Sequence, residues 1–528
     1  MAKFVIALGV LCFAASGGQS SADERTINSV QELIQAGKLR EAFQLLSTAL
    51  KQHPKDAGLL NLRGVIHAEQ NELAEARHDF ERATALEPGL TAAWRNLARS
   101  CGLGVGATGE GLRCAASAWR HVLAVRPDDP EALFSLASVY EQQGSFAASL
   151  RELAMLPKVE ADRSHALALQ CADLSGLGRL PEATQVAKRL VNAAEFSEAD
   201  VESVLGVLKP SSPAAARSFD SGRAALVVTL VESLDARGSA SPALLGQLVL
   251  AYEQLSRLRD ARSTLERLAA ADPNNPKHLF ELGRVAYRLH DLEGALGYLG
   301  HARDLTPADP QIHFLMGMIL VELKLPLDAR KSLDKALTLD SGNPDYNYAM
   351  GSIVLNSRDA ADAVPYFRTY VAARPQDPRG HFALGIAYFA AKDYENCRTE
   401  MLGVSRDPKT EVGAAYFLGR VARINENFDE AATFLNRAIS LSPDFAQAYA
   451  ELAHVRLRQD RLDDARAAIN RALSLSPNNF QANSTLLTLY QRTRDPRAAA
   501  QAARLNEIDQ EREKAMELML RSVEVKPY

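Results

Sequence analysis

Few residue groupings in this chain have the types and spacing to do chemistry. The stretch GVGATG, Gly104 to Gly109, matches the G-x-G-x-x-G loop that brings backbone close to a pyrophosphate. That loop works only between a strand and a helix. Here it follows a segment with helical spacing, and Glu110-Gly111 stand where a phosphate-binding lysine is needed. It reads as a turn carrying inserted residues. The 11 histidines are scattered; none lies in H-E-x-x-H, and no C-x-x-C exists. His290 and His301 read as ordinary surface or interface histidines. No G-x-S-x-G nucleophile turn is present. The acid pairs Asp463-Asp464 and Glu511/Glu513 read as solvated helix faces. No catalytic residue, metal ligand or cofactor-binding residue is assigned, no cofactor is expected, and the chain is expected not to be an enzyme.

Beyond Cys12 the cysteines are Cys101, Cys114, Cys171 and Cys397, too scattered for a disulfide scaffold or a zinc site. Only Cys101 and Cys114 are near one another. Two readings stay open: a disulfide, if the protein is exported, or two free buried thiols.

The N-terminus speaks to export. Lys3 precedes the apolar run Phe4 to Ala15, followed by Ser16-Gly17-Gly18 and a first acid at Asp23. A basic start, a short apolar centre and a small-residue exit form a secretory signal. Residues 1–22 are therefore read as a signal peptide. A buried N-terminal helix is the alternative. A lipid anchor on Cys12 is opposed by Leu11, where a small residue is wanted. No second long apolar run exists, so no integral membrane segment is expected once the signal is removed. The formal charge of −5 is small for 528 residues, so nothing points to nucleic acid. Aromatic residues are only 6%, while Ala, Leu and Arg abound, which favours helix over strand.

The elements that must position any site emerge from self-similarity. NRAISLSP (Asn436 to Pro443) recurs as NRALSLSP (Asn470 to Pro477), 34 residues on. Stepping back by 34 from Pro477 meets Pro443, Pro375, Pro307 and Pro273, with misses at Lys409 and Ser341. From Ala499 the steps meet Ala465, Ala431, Cys397, Ala363, Ala329, Ala295 and Ala261; a third ladder runs Gly419, Gly385, Gly351, Gly317, Gly283. Within one period, Leu279, Leu282, Val285 and Ala286 fall at helical spacing, as do Ala295, Leu299 and Ala302. A turn at His290-Asp291 separates them, and Pro307 stops the second helix. Small residues at Gly283, Ala295 and Ala302 suit two closely packed antiparallel helices.

This pattern resembles the tetratricopeptide repeat, a helix–turn–helix unit of the same period. The resemblance implies an all-α fold: a superhelical solenoid of about 13–14 repeats in two blocks. Eight repeats start at Pro242, Pro276, Pro310, Pro344, Pro378, Val412, Ala446 and Phe480 without an insertion, giving a C-terminal block over 242–500. An N-terminal block covers 23–195. Residues 196–241 read as a degenerate repeat and hinge around KPSSPAAARSFDSG, and 501–528 as a capping helix and tail.

The resemblance also implies where a partner would bind. In this family the first helix of each repeat lines a groove, often through its second, fifth, ninth, twelfth and thirteenth positions. The fifth position reads Phe280, Phe314, Tyr348, Phe382, Tyr416, then Ala450 and Ser484. This row is either ordinary repeat packing or a strip for an apolar or Pro-rich partner. Arg284, Arg288, Arg420, Arg423, Arg458 and Arg492 flank it, either as solvated charges or as partners for carboxylates. The family's peptide-tail clamp of Asn and Lys is not reproduced. The chain is expected to be an exported scaffold, periplasmic or extracellular in a bacterial envelope. It would bind unknown protein partners in a secretion, pilus or polysaccharide assembly. The alternative is an accessory subunit of a cell-wall glycan- or protein-modifying enzyme, binding extended polymer.

Overall fold

The structure is a computed structural model that describes residues 24–102, 109–208, 221–356 and 360–524, with the side chains of the last helix described as far as 511. The signal segment 1–22, most of GVGATG and residues 209–220 of the expected hinge lie outside the described residues. Everything regular among the described residues is helical.

One repeat shows why. Asn275 caps the helix Pro276–Arg288, its side chain accepting a hydrogen bond from the Lys277 amide at 3.1 Å. Pro276 occupies the first turn, where its missing N–H costs nothing and its φ suits a helix. The helix ends because His290 adopts φ 59°, which lets the Asp291 amide donate back to the Ala286 carbonyl at 3.0 Å. Asp291 then caps Leu292–Leu305, accepting from the Gly294 amide at 3.0 Å. The Thr306 amide closes that helix onto Ala302, and Pro307 follows.

The two helices close on the small residues. Leu282, Val285, Ala286, Ala295, Leu299 and Ala302 are all buried, and full burial of a leucine such as Leu299 contributes about 2 kcal/mol. A Cβ on Gly283 would lie 2.6 Å from Leu299 Cγ, so the approach of the helices requires glycine there.

The same joint recurs. First helices begin at Pro242, Pro276, Pro310, Pro344, Pro378, Ala446 and Phe480, and one begins at Glu411, a residue ahead of the expected Val412. Ala261, Ala295, Ala329, Ala363, Cys397, Ala431 and Ala465 are completely buried. The left-handed turn residue recurs too, at Ser256, His290, Lys324, Lys392, Glu426, Asp460 and Arg494, and at Gly37, Asn71, Gly144 and Gly178. All lie at the fifteenth place of a period, and only three of these are glycine.

Two compact halves are distinguished, one up to Leu268 and one from Ala269. In the first, helix pairs such as Ala57–Glu69 with Leu73–Leu86 and Pro130–Gln142 with Phe146–Ala154 stack in sequence. The described residues of 196–241 include two helices. Glu198–Val207 starts at a capping box between Ser197 and Asp200 and packs on Ser164–Gly176. Ser221–Asp235 packs on Leu180–Leu190 and on Pro242–Gln254. In the second half the last helix, Ala498–Glu524, packs on Phe480–Arg492; its Gln501 donates to the Asn483 carbonyl, and its Ile508 is buried.

Candidate functional site

The fifth-position row lies wholly in the second half. Phe280, Phe314, Tyr348, Phe382 and Tyr416 stand at the same register on five consecutive first helices, and all five are half-buried. Their inner edges fill the stack. Phe280 packs against the cluster of Leu279 and Ile312. The Phe314 ring is 4.8 Å from that of Tyr346, and Tyr348 lies 4.9 Å from Tyr370. Phe382 sits on Gly413 of the next first helix, where a Cβ would come within 2.4 Å of its ring. Tyr416 lies 4.9 Å from Phe445, and burial raises its hydroxyl pKa. The ring–ring contacts among these are tilted, at 33°, 53° and 52° between planes, so the rings avoid a face-to-face sandwich. The row thus seals seams between repeats with one edge and meets solvent with the other. It ends where Ala450, 1% exposed, replaces the ring.

The flanking arginines divide into different roles. Arg284 donates from Nε to Glu281 of its own helix at 2.7 Å. Arg288 is exposed in the last turn of its helix, where a cation complements the C-terminal dipole. Arg458 pairs with Glu426 at 3.1 Å, and Arg492 donates to the Leu457 carbonyl at 2.6 Å. Arg420 and Arg423 do something neither sequence reading anticipated. Both converge on Glu451 of the following helix, Ala446–Arg458. Arg420 Nε is 3.2 Å from one carboxylate oxygen and Arg423 Nε 2.8 Å from the other, and the Glu451 side chain is only 8% exposed. Arg420 also lies 4.3 Å over the Phe389 ring. His454, one turn beyond Glu451, has its pKa lowered by burial first and then by Arg423.

Glu451, Phe389 and Phe417 were not singled out from the sequence. The available signal was an acid at the sixth place of a repeat that holds Leu315, Ala349, Ala383 and Phe417 in its neighbours, with two arginines about one period earlier. The first half has a counterpart of the row at Phe134, whose ring meets that of His165 edge-on at 4.7 Å.

Cys101 and Cys114 are disulfide-bonded, with Cα atoms 5.9 Å apart, joining Thr91–Gly102 to Gly109–Val125. His290 Nδ1 lies 3.5 Å from Glu322, and His301 is exposed; the two form no common site. Among the described residues no three His, Cys, Asp or Glu side chains are grouped to hold a metal ion, and no helix is long and apolar enough to cross a membrane.

Stacked helix pairs that present one register of side chains from every first helix define a helical-repeat scaffold, a class that holds other proteins and is generally not catalytic. The chain belongs to the tetratricopeptide repeat family. One family model for this repeat matches residues 28–100, 110–158, 247–310 and 348–396, and another matches 422–488, together more than half of the chain. No curated protein matches it in sequence. Among solved structures it is similar to a chain of the APC/C hetero-tetramer Cut9–Hcn1, at 16% identity over 89% of this chain and 96% of that one, TM-score 0.35. It is also similar to a chain of Naa15/Naa10 bound to HypK-THB, at 17% identity over 91% and 94%, TM-score 0.33. A third is PilF of Pseudomonas aeruginosa, at 18% identity over 38% and 91%, TM-score 0.33.

Proposed function

We propose that this protein is an exported, non-enzymatic scaffold that holds a segment of a partner protein along the first-helix row of its second half, within an envelope assembly such as a secretion, pilus or polysaccharide system. The observation that carries the binding role is the row itself. Five aromatic side chains, one per repeat, keep an edge in solvent while their inner edges are locked. Rigid, half-exposed rings offer contact area at little entropic cost, which is what a binding surface for an extended or helical segment needs. Export rests on the N-terminal sequence, and the bonded geometry of Cys101 and Cys114 agrees with an oxidising compartment.

The test places a photo-crosslinking residue at Val321, exposed and two helical turns beyond Phe314 on the same helix, and another at Lys331 on the following second helix. A partner crosslinked in cells from position 321 and not from 331 is expected. Replacing Phe314, Tyr348 and Phe382 with alanine should abolish that adduct, with circular dichroism reporting whether the stack survives. Equal crosslinking from both positions overturns the reading. Binding of purified cell-wall glycan in place of protein replaces it with the polymer-binding one. An uncleaved chain in the cytosolic fraction removes the export.

A further inference from the structure

We infer that Arg420 and Arg423 form a carboxylate-binding centre that takes an aspartate or glutamate side chain of the partner segment. This rests on the reading that the row holds a peptide, and it names one chemical feature of that peptide.

The charges do not balance at this point. Two guanidiniums share one buried carboxylate, and Glu451 is the one carboxylate within ion-pair reach of either among the described residues. Three of the other row-flanking cations each have one acid of their own: Arg284 with Glu281, Arg458 with Glu426, Arg492 with Asp460. With His454 neutral, the cluster of Arg420, Arg423 and Glu451 carries one net positive charge in a half-buried setting. The lowered pKa of His454 is in line with this: burial is its first cause and Arg423 its second, Glu451 opposes them and Arg458 adds to them. An unbalanced, partly desolvated cation attracts an anion far more strongly than a solvated one does.

The geometry suits a ligand. Glu451 meets both arginines at Nε, on the inner side of each fork. Arg420 is further fixed by rings on several sides, at 4.3 Å from Phe389, 5.5 Å from Tyr416 and 5.7 Å from Phe417. Arg420 and Arg423 nevertheless remain 27% and 23% exposed. Both Nε atoms lie within ion-pair distance of Glu451 yet are buried without a hydrogen bond, as is one Glu451 oxygen, so the cluster keeps unspent donors on forks whose planar shape suits a carboxylate. Phe389 and Tyr416 border them, so the preferred residue is an acid with apolar neighbours.

The experiment uses the full chain and short fluorescent peptides with blocked termini, identical except for a central Leu-Glu-Leu, Leu-Gln-Leu or Leu-Lys-Leu. Fluorescence anisotropy should show the Glu peptide binding about tenfold more tightly than the Gln peptide, as a charge-assisted pair requires. Arg423→Gln should erase that preference, and Arg423→Lys should keep part of it. Glu451→Gln removes the competing internal carboxylate and should tighten the Glu peptide while leaving the Gln peptide unchanged. A purely structural ion cluster gives the opposite, with Glu451→Gln weakening all peptides alike. Equal binding of Glu and Gln peptides overturns the inference, and so does Glu451→Gln failing to favour the Glu peptide in a chain whose helicity is intact. If Val321 still crosslinks a partner in those cases, the groove reading stands without this feature. If Val321 crosslinks nothing, the groove reading itself has failed.

Discussion

Asp173 faces Ser149 inside the first half, and neither side chain has any exposure to solvent. Both stand where the repeat places something else. The tenth position, Asp173 here, holds Ile66, Val139, Val285, Ile319, Val421, Val455 and Leu489 elsewhere, all buried. The twentieth, Ser149 here, holds Ala76, Ala183, Ala295 and Ala329. Two departures from the pattern, one on each side of a joint between neighbouring repeats, have come to face each other. Neither carboxylate oxygen has a hydrogen bond, nor has the Ser149 hydroxyl, and no cation is among the groups that shift the carboxyl. Burial therefore pushes the Asp173 carboxyl up to about 7, Ser149 opposes this, and Glu141 adds to it.

Stability of the first half should accordingly fall as pH rises. Between the unfolded value of 3.8 and about 7, the folded chain holds a proton that the unfolded chain has lost. The contribution is most favourable below the unfolded pKa, declines through that window and levels off above it, by up to roughly 4 kcal/mol. Urea melts at several pH values, compared between wild type and Asp173→Val, isolate this slope from that of ordinary carboxylates. Asp173→Val should flatten it and raise stability at neutral pH. Equal slopes in the two chains would refute the assignment.

The helix contacts predict opposite outcomes for two glycines 14 residues apart. Gly283→Ala should destabilise the second half by about 1–3 kcal/mol, because its methyl would meet Leu299 Cγ at 2.6 Å. Gly297→Ala has open space around it within Leu292–Leu305, and should stabilise by up to about 1 kcal/mol through helix propensity. Thermal melts of the two variants should move in opposite directions.

Left-handed turn residues are a reservoir of strain. Lys324, Lys392 and Glu426 all have φ of 60°, which costs a residue with a Cβ. Each changed singly to glycine should gain roughly 0.5–1 kcal/mol, while Lys392→Val should lose at least as much, since a β-branched residue resists this region most. Denaturant midpoints that rank valine above glycine would contradict the turn geometry.

Thiol chemistry tests the cysteines. Burial pushes Cys171 and Cys397 up to about 12, so neither should react with a thiol reagent in the native chain. Unfolded without reductant, the chain lacking its first 22 residues should show two thiols, and four after reduction. The Cys101–Cys114 bond closes a short loop with a separation of 13 residues, and losing it should cost about 3 kcal/mol in the first half. Four thiols before reduction would mean that the bond is absent from the protein.

How much was legible depends on the reach of each contact. The proline, alanine and glycine ladders expose the helix pairs because both partners, such as Gly283 and Leu299, lie within one period and repeat in the next. The aromatic row is legible as a row. Packing within the stack is one of the two readings it allows, but the partners, Tyr346, Tyr370 and Phe445, are not legible, because those contacts come from positions outside the row. The turn at His290-Asp291 was legible as a turn, yet His290, like Lys324 and Glu426, carries no sequence mark of a positive φ.

What this sequence determined by itself is the repeat: its period, its helix starts at Pro276 or Pro310, and the small residues at its closest approach. Local hydrogen bonding and helical periodicity specify these, and copying makes them visible. Only the tertiary structure decided what the irregular residues do. Glu451 is a sequence acid like any other until stacking sets it between Arg420 and Arg423 and removes water. Asp173 becomes a titrating group only because Ser149 and the neighbouring helix shut it in. Desolvation and charge balance depend on which side chains a neighbouring repeat supplies across the stack, and no single period contains that information.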